Sequence, residues 1–279
     1  MADYSSDDLR IALSDLPLDR GDILFSHSNL GFFGHAQGVR NADALCRLFA
    51  EAVLDRIGYE GTLVVPTFTY SFPRGEVFDP EASPSGMGLF AEWVRRHSDA
   101  RRSVDPCYSV AAIGGKAEAL TAEVPENSFG PGSFFDRFYE AGGKILNFNF
   151  GAGSTFVHYV ERQLKVPYRF DKTFIGRIRR NGEEHAARST IWVRYLSDDA
   201  LINAPDPLDR LARAEGLFHP RRLGRGELGL ITAADLRDLV ARTLPLRPWF
   251  LTRAEGMGVT RPRIVAEPCI VAEQGGQSL

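Results

Sequence analysis

Apolar and polar positions along this chain switch between a helical and an extended rhythm. Asp7 to Leu16 carries Leu9, Ala12, Leu13 and Leu16 at helical spacing, and a turn from Pro17 to Gly21 leads into the short apolar run Ile23 to Ser26, which predicts a strand. A glycine-rich loop follows from His27 to Gly38. Asn41 is placed to cap a helix holding Leu45, Leu48, Phe49, Ala52 and Val53, closed by Gly58 and Gly61 before a second strand, T-L-V-V-P-T-F-T-Y. A long loop, Ser71 to Gly86, contains Pro73, Pro80 and Pro84. A helix from Gly88 to His97 then turns Leu89, Phe90, Trp93 and Val94 inward. Ser109 to Ile113 reads as a strand, Glu118 to Thr121 and Ser133 to Glu140 as short helices.

Strands and helices alternate up to this point, which predicts a layered α/β/α arrangement around a central mixed sheet. After Pro167 the rhythm changes. Phe174 to Arg179 and Ala186 to Tyr195 flank Asn181-Gly182, a hairpin signal, so an antiparallel hairpin is added in the C-terminal half. Pro205 to Gly216 reads as a helix, Leu228 to Ile231 as a short strand and Thr232 to Thr243 as a helix. Gln274 to Leu279 is expected to fray. With no internal repeat and no linker, residues 1–279 are expected to form one domain.

The stretch from Lys144 to Arg169 stands apart. Ile145 to Phe150 alternates as a buried strand, Gly151 and Gly153 make a tight turn, and Ser154 or Thr155 is placed to cap a helix. Val157, Val160 and Leu164 form its apolar stripe, Pro167 ends it, and His158 and Glu161 share a face beside the stripe. A His in a first helical turn, at the positive end of the helix, is favoured in its neutral, proton-accepting form. The spacing alone is equally compatible with a buried structural His bonded to Glu161.

Composition narrows the classes. Of 279 residues, 44% are hydrophobic and 25% charged, as in ordinary globular proteins, and the net charge of −3 disfavours a nucleic-acid partner. Cys46, Cys107 and Cys269 lack C-x-x-C spacing, so neither zinc nor a disulfide framework is indicated and a reducing cytoplasm is expected. The N-terminus lacks a signal-peptide pattern and no run reaches transmembrane length, so no membrane partner is expected. G-A-G-S-T is not G-x-G-x-x-G, and neither a G-x-S-x-G elbow nor a P-loop occurs. His27 and His35 lack partners at metal spacing and read as solvated loop residues. What remains is a small-molecule enzyme with a His base.

Four segments, in order, resemble the aminoglycoside 3-N-acetyltransferase family: G-D-I-L-F-S-H-S-N-L-G-F-F-G, G-T-L-V-V-P-T-F-T-Y, R-S-V-D-P-C-Y-S-V-A-A-I-G and S-T-F-V-H-Y-V-E. They run from Gly21 to Glu161. The resemblance implies an acyltransferase that moves acetyl from acetyl-CoA to an amino group of a sugar, without a metal. His158 would be the base and Glu161 the carboxylate that orients it. The segments His27, Ser28, Asn29, Leu30 and Ser109, Val110, Ala111 match where the family holds pantetheine and phosphates. Backbone N–H groups of the glycine-rich segments would hold the thioester oxygen. Thr67 and Tyr70, at the end of the second strand, would face the acceptor.

Where the family usually has His-Pro, this chain has Asp105-Pro106. Asp105 could orient His158, contact an amine or start a turn, the last being the plainest reading. Arg169 and Lys172 follow the base closely in sequence. If they face the site they would repel a polycation and favour an anionic, nucleotide-linked amino sugar. If not, they are a solvated basic face pairing with Asp171. The expectation is therefore a biosynthetic amino-sugar N-acetyltransferase. The alternatives are an aminoglycoside 3-N-acetyltransferase conferring antibiotic resistance, or a non-catalytic CoA- or sugar-binding member of the fold.

Overall fold

The structure is a computed structural model and describes residues 2–271. In its first half, α1 (Ser6–Ser14), β1 (Ile23–Phe25), α2 (Ala42–Ile57), β2 (Thr62–Pro66), α3 (Leu89–Arg95), β3 (Arg101–Arg102) and β4 (Val110–Gly114) follow in turn. Then come α4 (Ala117–Thr121), α5 (Phe134–Glu140), β5 (Lys144–Phe148), α6 (Val157–Gln163), β6 (Arg169–Arg180) and β7 (Glu183–Arg194). The described residues end with α7 (Asp206–Ala214), β8 (His219–Leu223), β9 (Gly226–Thr232), α8 (Ala233–Thr243), α9 (Arg253–Met257) and β10 (Ile270–Val271). The expected fraying of Gln274 to Leu279 falls outside the described residues.

A seven-stranded sheet in the order β3-β4-β2-β1-β5-β9-β8 forms the centre. β1 is parallel to β2 and β5, while β4 and β9 run antiparallel to their neighbours, so the sheet is mixed as the sequence predicts. Alternation divides the side chains between two cores. Leu24, Leu63, Val65, Leu146 and Phe148 face α1, α2 and α3 with Phe49, Val53 and Phe90. Ile23, Phe25, Val64, Val110 and Ile145 face the other layer with Phe135, Phe138, Val160 and Leu236. The hairpin is longer than expected, and β10 adds to it as a parallel edge. Asn181 and Gly182 both take positive φ (52° and 80°), as a two-residue turn matched to strand twist requires.

Three short strands carry no apolar rhythm and were not anticipated: β3, β8 and β10. H-P-R-R-L of β8 lies at a sheet edge, where Pro is tolerated because no ladder donor is needed on the open side. The helix start also differs from expectation. Neither Ser154 nor Thr155 is the cap; the chain enters α6 through a tight turn in which Val157 N–H donates to Ser154 O and His158 N–H to Thr155 O. Ser154 Oγ accepts from Phe156 N–H at 3.2 Å. Leu164 lies beyond the helix and is exposed, while Val157 and Val160 are buried.

The carboxyl ends of β1 and β5 are tied together where this turn begins. Asn147 Oδ1 accepts the His27 N–H at 3.1 Å, and its amide donates to Gly151 O (2.8 Å) and Gly153 O (2.7 Å). Gly151 takes φ 55°, and a Cβ there would meet Asp209 Oδ1 at 2.5 Å, so the position demands glycine. His27 is buried rather than solvated, correcting the loop reading, whereas His35 is exposed. His27 Nε2 lies 3.2 Å from the Thr155 nitrogen and accepts its N–H, with Ser154 Oγ at 3.1 Å. That bond requires a neutral ring with the proton on Nδ1.

Burial, with a smaller contribution from His158, pushes the His27 imidazole down to about 3. An unfolded His titrates near 6.5. Below pH ~6.5 the unfolded chain therefore binds a proton that folded His27 refuses. Stability from this residue is complete above pH ~6.5 and falls by up to ~1.4 kcal/mol per pH unit as the pH drops toward 3. The stability gap between wild type and His27→Gln, measured by urea unfolding, should narrow between pH 7.5 and pH 5. A gap that does not change with pH would remove the buried neutral ring.

Candidate active site

Glu161 is the centre of the site, only 1% exposed. Its Oε2 lies 2.6 Å from His158 Nδ1 and 2.9 Å from Arg169 Nε, and its Oε1 accepts the Tyr168 hydroxyl at 2.7 Å. α6 supplies His158 and Glu161 one turn apart, and the segment entering β6 supplies Tyr168 and Arg169. Arg169 is held in turn by Trp192 O at 3.0 Å and by Asn203 Oδ1. Two hydrogen bonds and one ion pair thus meet the carboxylate, the compensation a buried charge requires.

These contacts set the protonation states. Burial raises the Glu161 carboxyl, but Arg169, His158 and the hydrogen bonds from His158 and Tyr168 outweigh it, and the group is held below its ordinary value. Burial first, and Arg169 second, lower the His158 imidazole against the opposing pull of Glu161. The neutral ring therefore donates a hydrogen bond from Nδ1–H to the Glu161 carboxylate and leaves the Nε2 lone pair free. The neutrality expected from the helix end has a different source: burial and a neighbouring guanidinium. Phe129 packs edge-on against the ring at 5.9 Å.

The other anticipated residues divide into groups. Ser28, Asn29 and Leu30 line a cavity of about 480 Å³ with Phe32, Leu89 and Phe90, beside the His27 joint. Ser109, Val110, Ala111 and Thr67 have no exposed surface. Ser109 and Thr67 hydroxyls lie 3.1 Å apart, and Arg102 donates to both while its other nitrogens bind the carbonyls of Thr67, Pro80 and Ser83. These side chains pin the long 71–88 loop to the sheet edge and cannot themselves touch a ligand. The N–H groups of Ala152, Thr155 and Phe156 are likewise already engaged, by Asp209, His27 and Ser154.

Tyr70 is half-buried, takes φ 52° and packs edge-on against Tyr108 at 5.3 Å, and Tyr108 continues to Phe129 at 4.8 Å. A bulky residue in the left-handed region beside an aromatic wall leading to His158 is strained, as functional positions often are. Asp105 adopts the plain reading: its Oδ1 accepts the N–H groups of Cys107 and Tyr108, both at 2.8 Å, and burial raises its carboxyl. It also lines a cavity of about 600 Å³ against the hairpin, with Glu126 and Arg188.

Arg169 and Lys172 overturn both earlier readings. Arg169 is 7% exposed and is the internal counter-ion of Glu161; Lys172 pairs with Glu267 at 3.2 Å. Asp171 pairs instead with Arg162 at 2.8 Å. Neither cation is a free charge, so the physical argument for an anionic, nucleotide-linked acceptor disappears. Sequence reasoning missed Asn147, Tyr168 and Asn203. Asn147 did leave a signal, as a polar residue at an inward position of an otherwise apolar strand.

The pattern described as aminoglycoside 3-N-acetyltransferase matches residues 26–245, from the end of β1 to the end of α8. Aminoglycoside N(3)-acetyltransferase III of Salmonella sp is 29% identical over 254 residues, covering 82% of this chain and 86% of its own length. The solved structure of AAC-VIa bound to sisomicin has a TM-score of 0.74 at 25% identity, covering 88% of this chain and 98% of that one. The AAC-IIIb binary complex with CoASH shares the fold, with a TM-score of 0.73 at 22% identity, covering 87% of this chain and 97% of that one. With the pattern spanning well over half its length, this chain belongs to the aminoglycoside 3-N-acetyltransferase family.

Proposed function

We propose that this protein acetylates the 3-amino group of an aminoglycoside, with His158 as general base and Glu161 as the carboxylate that holds it. Family membership makes the chain an acyltransferase that draws its acetyl group from acetyl-CoA, acting on a small-molecule amine. The acceptor is inferred from relatives that are aminoglycoside N(3)-acetyltransferases and from a neighbour solved with sisomicin. This replaces the biosynthetic amino-sugar expectation, whose support rested on two cations now accounted for by Glu161 and Glu267.

The observation that carries the mechanism is the 2.6 Å contact between His158 Nδ1 and Glu161. With Nδ1 fixed as donor, and after the acceptor's ammonium has lost one proton to solvent, Nε2 accepts a second proton from the neutral amine as its nitrogen attacks the thioester carbonyl. The C–N bond forms, the C–S bond breaks, and the proton taken by His158 is returned to sulfur, releasing CoASH and the amide. Imidazolium formed in this step is stabilised by the carboxylate it faces. The Ser28–Leu30 loop and its cavity are the proposed seat of the pantetheine end of acetyl-CoA, through backbone groups and small polar side chains. A reducing cytoplasm fits the free cysteines Cys46, Cys107 and Cys269.

His158→Ala should lower kcat by about two to four orders of magnitude with little change in CoA affinity, read by thiol release and by calorimetry. A folded variant that keeps near-full turnover would exclude the base role. The imidazole of His158 should titrate below 6.5 in the free enzyme, followed by NMR of the ring, because burial and Arg169 both oppose its charging. A titration above 6.5 would mean that Glu161 dominates instead. Thiol release from acetyl-CoA should require an aminoglycoside; release with nucleotide-linked amino sugars but not with aminoglycosides would overturn the acceptor assignment.

A further inference from the structure

Among the described residues two carboxylates are nine-tenths buried, Glu161 and Asp105. Glu161 has Arg169 as its counter-ion, but no cation lowers the Asp105 carboxyl, and an Asp is rarely so buried unless paired. Its Oδ1 is spent on the N–H groups of Cys107 and Tyr108, and no hydrogen bond reaches Oδ2 among the described residues. The Ser128 hydroxyl is near enough to lower the carboxyl but forms no hydrogen bond, and the buried Ser189 hydroxyl has no partner either. Asp105 and Ser189 both line the cavity of about 600 Å³ against the hairpin, whose walls include Val104, Pro106, Ile178 and Ala187. Arg188 and Glu126 at its rim pair with each other at 3.2 Å, both half-exposed, and Arg180 is exposed, so water screens those charges. The buried carboxylate is not screened in this way, and it dominates the field at the cavity floor.

We propose that Asp105 Oδ2 and Ser189 Oγ form a subsite for a primary ammonium group carried on a sugar ring or a short aliphatic frame. One free carboxylate oxygen cannot engage the planar fork of a guanidinium, which takes both, whereas a compact ammonium needs only one. The described residues contain no group of three His, Cys, Asp or Glu able to hold a metal, so the cation is an organic one. The apolar walls suit the C–H faces of the frame that carries it. Resting on the aminoglycoside reading, the ammonium is a second amino group of the acceptor, distant from the one acetylated. A polycation needs carboxylates that the protein has not already neutralised, and Glu161 is not one of them. Asp105 also lies near the base: Tyr108, whose N–H it holds, packs on Phe129 at 4.8 Å, and Phe129 on His158 at 5.9 Å. Two packed rings separate subsite from base, a gap suited to an acceptor built of several linked rings.

The test compares the full chain with its Asp105→Asn variant, which keeps Oδ1 for the Cys107 and Tyr108 N–H groups and removes only the charge. The KM for sisomicin should rise about tenfold or more, the cost of losing a hydrogen bond between charged groups, while kcat and the KM for acetyl-CoA stay near wild type. In NMR titrations of wild type, the Cys107 and Tyr108 N–H signals should shift with sisomicin, not with the neutral methyl glucoside, and the shift should vanish in Asp105→Asn. Glucosamine, with its single amine, separates the two sources of an ammonium. If it moves these signals in wild type alone while the sisomicin KM is unchanged in the variant, the subsite stands and serves a separate small amine. No shift with either amine, an equal shift with methyl glucoside, or shifts that persist in Asp105→Asn would overturn the proposal. Should that variant fail to fold, Ser189→Ala takes its place, with a KM rise of about threefold expected and an unchanged KM and unchanged shifts overturning. Thiol release that never depends on an aminoglycoside would sink the parent reading instead, and the glucosamine titration then decides the subsite alone.

Discussion

A carboxylate almost without contact to water organises this molecule's chemistry. An ionised Glu161 is tolerable inside the protein only while its oxygens meet His158, Tyr168 and Arg169 together. Those partners come from two different parts of the chain, α6 on the main sheet and the start of the β6–β7 hairpin. The buried charge is therefore a joint between the two sheets as well as the group that orients the base. Trp192 and Asn203 extend it by fixing the guanidinium from β7 and from the segment before α7. Taking away any one donor leaves an unpaired charge or dipole in a dry place, so geometry here is over-determined.

A second joint sets where α6 begins. Asn147 couples β1 to the glycine turn, and His27 accepts the N–H of Thr155 on the far side of that turn. A charge on His158 would thus penalise one on His27, and burial is the leading cause that lowers both imidazoles. They have opposite duties. His27 spends its Nε2 lone pair on the backbone, while His158 spends its Nδ1 proton on Glu161 and keeps the lone pair free. Only the second arrangement leaves a base.

The elements were readable from rhythm wherever a face is buried: β1, β2, α2, β5 and the turn at Asn181-Gly182 all follow from spacing and glycine chemistry. Edge strands were not, because β3, β8 and β10 bury little and their pairing is decided by neighbours rather than by pattern. The His158–Glu161 pair was visible as an i, i+3 spacing. Its partners were not, since nothing local says that Tyr168 and Arg169 fold back onto Glu161. Charge near a base in sequence was read as charge in the pocket. Arg169 shows why that step fails: a buried cation is as readily an internal counter-ion as a ligand contact, and only geometry tells which.

Burial also links the base to its surroundings. The leading cause that lowers the His158 imidazole is loss of water, and part of what excludes water is the apolar wall of Val157, Leu208 and Leu251. Any ligand that covers that wall would remove more water and press the imidazole further toward its neutral form. The occupant of the cavity and the readiness of the base are then coupled through one dielectric boundary. Arg169, behind Glu161, acts in the same sense without touching the cavity, so the ring stays a proton acceptor even when the wall is bare. Glu161 supplies the opposing term, which grows in importance only once the proton has arrived.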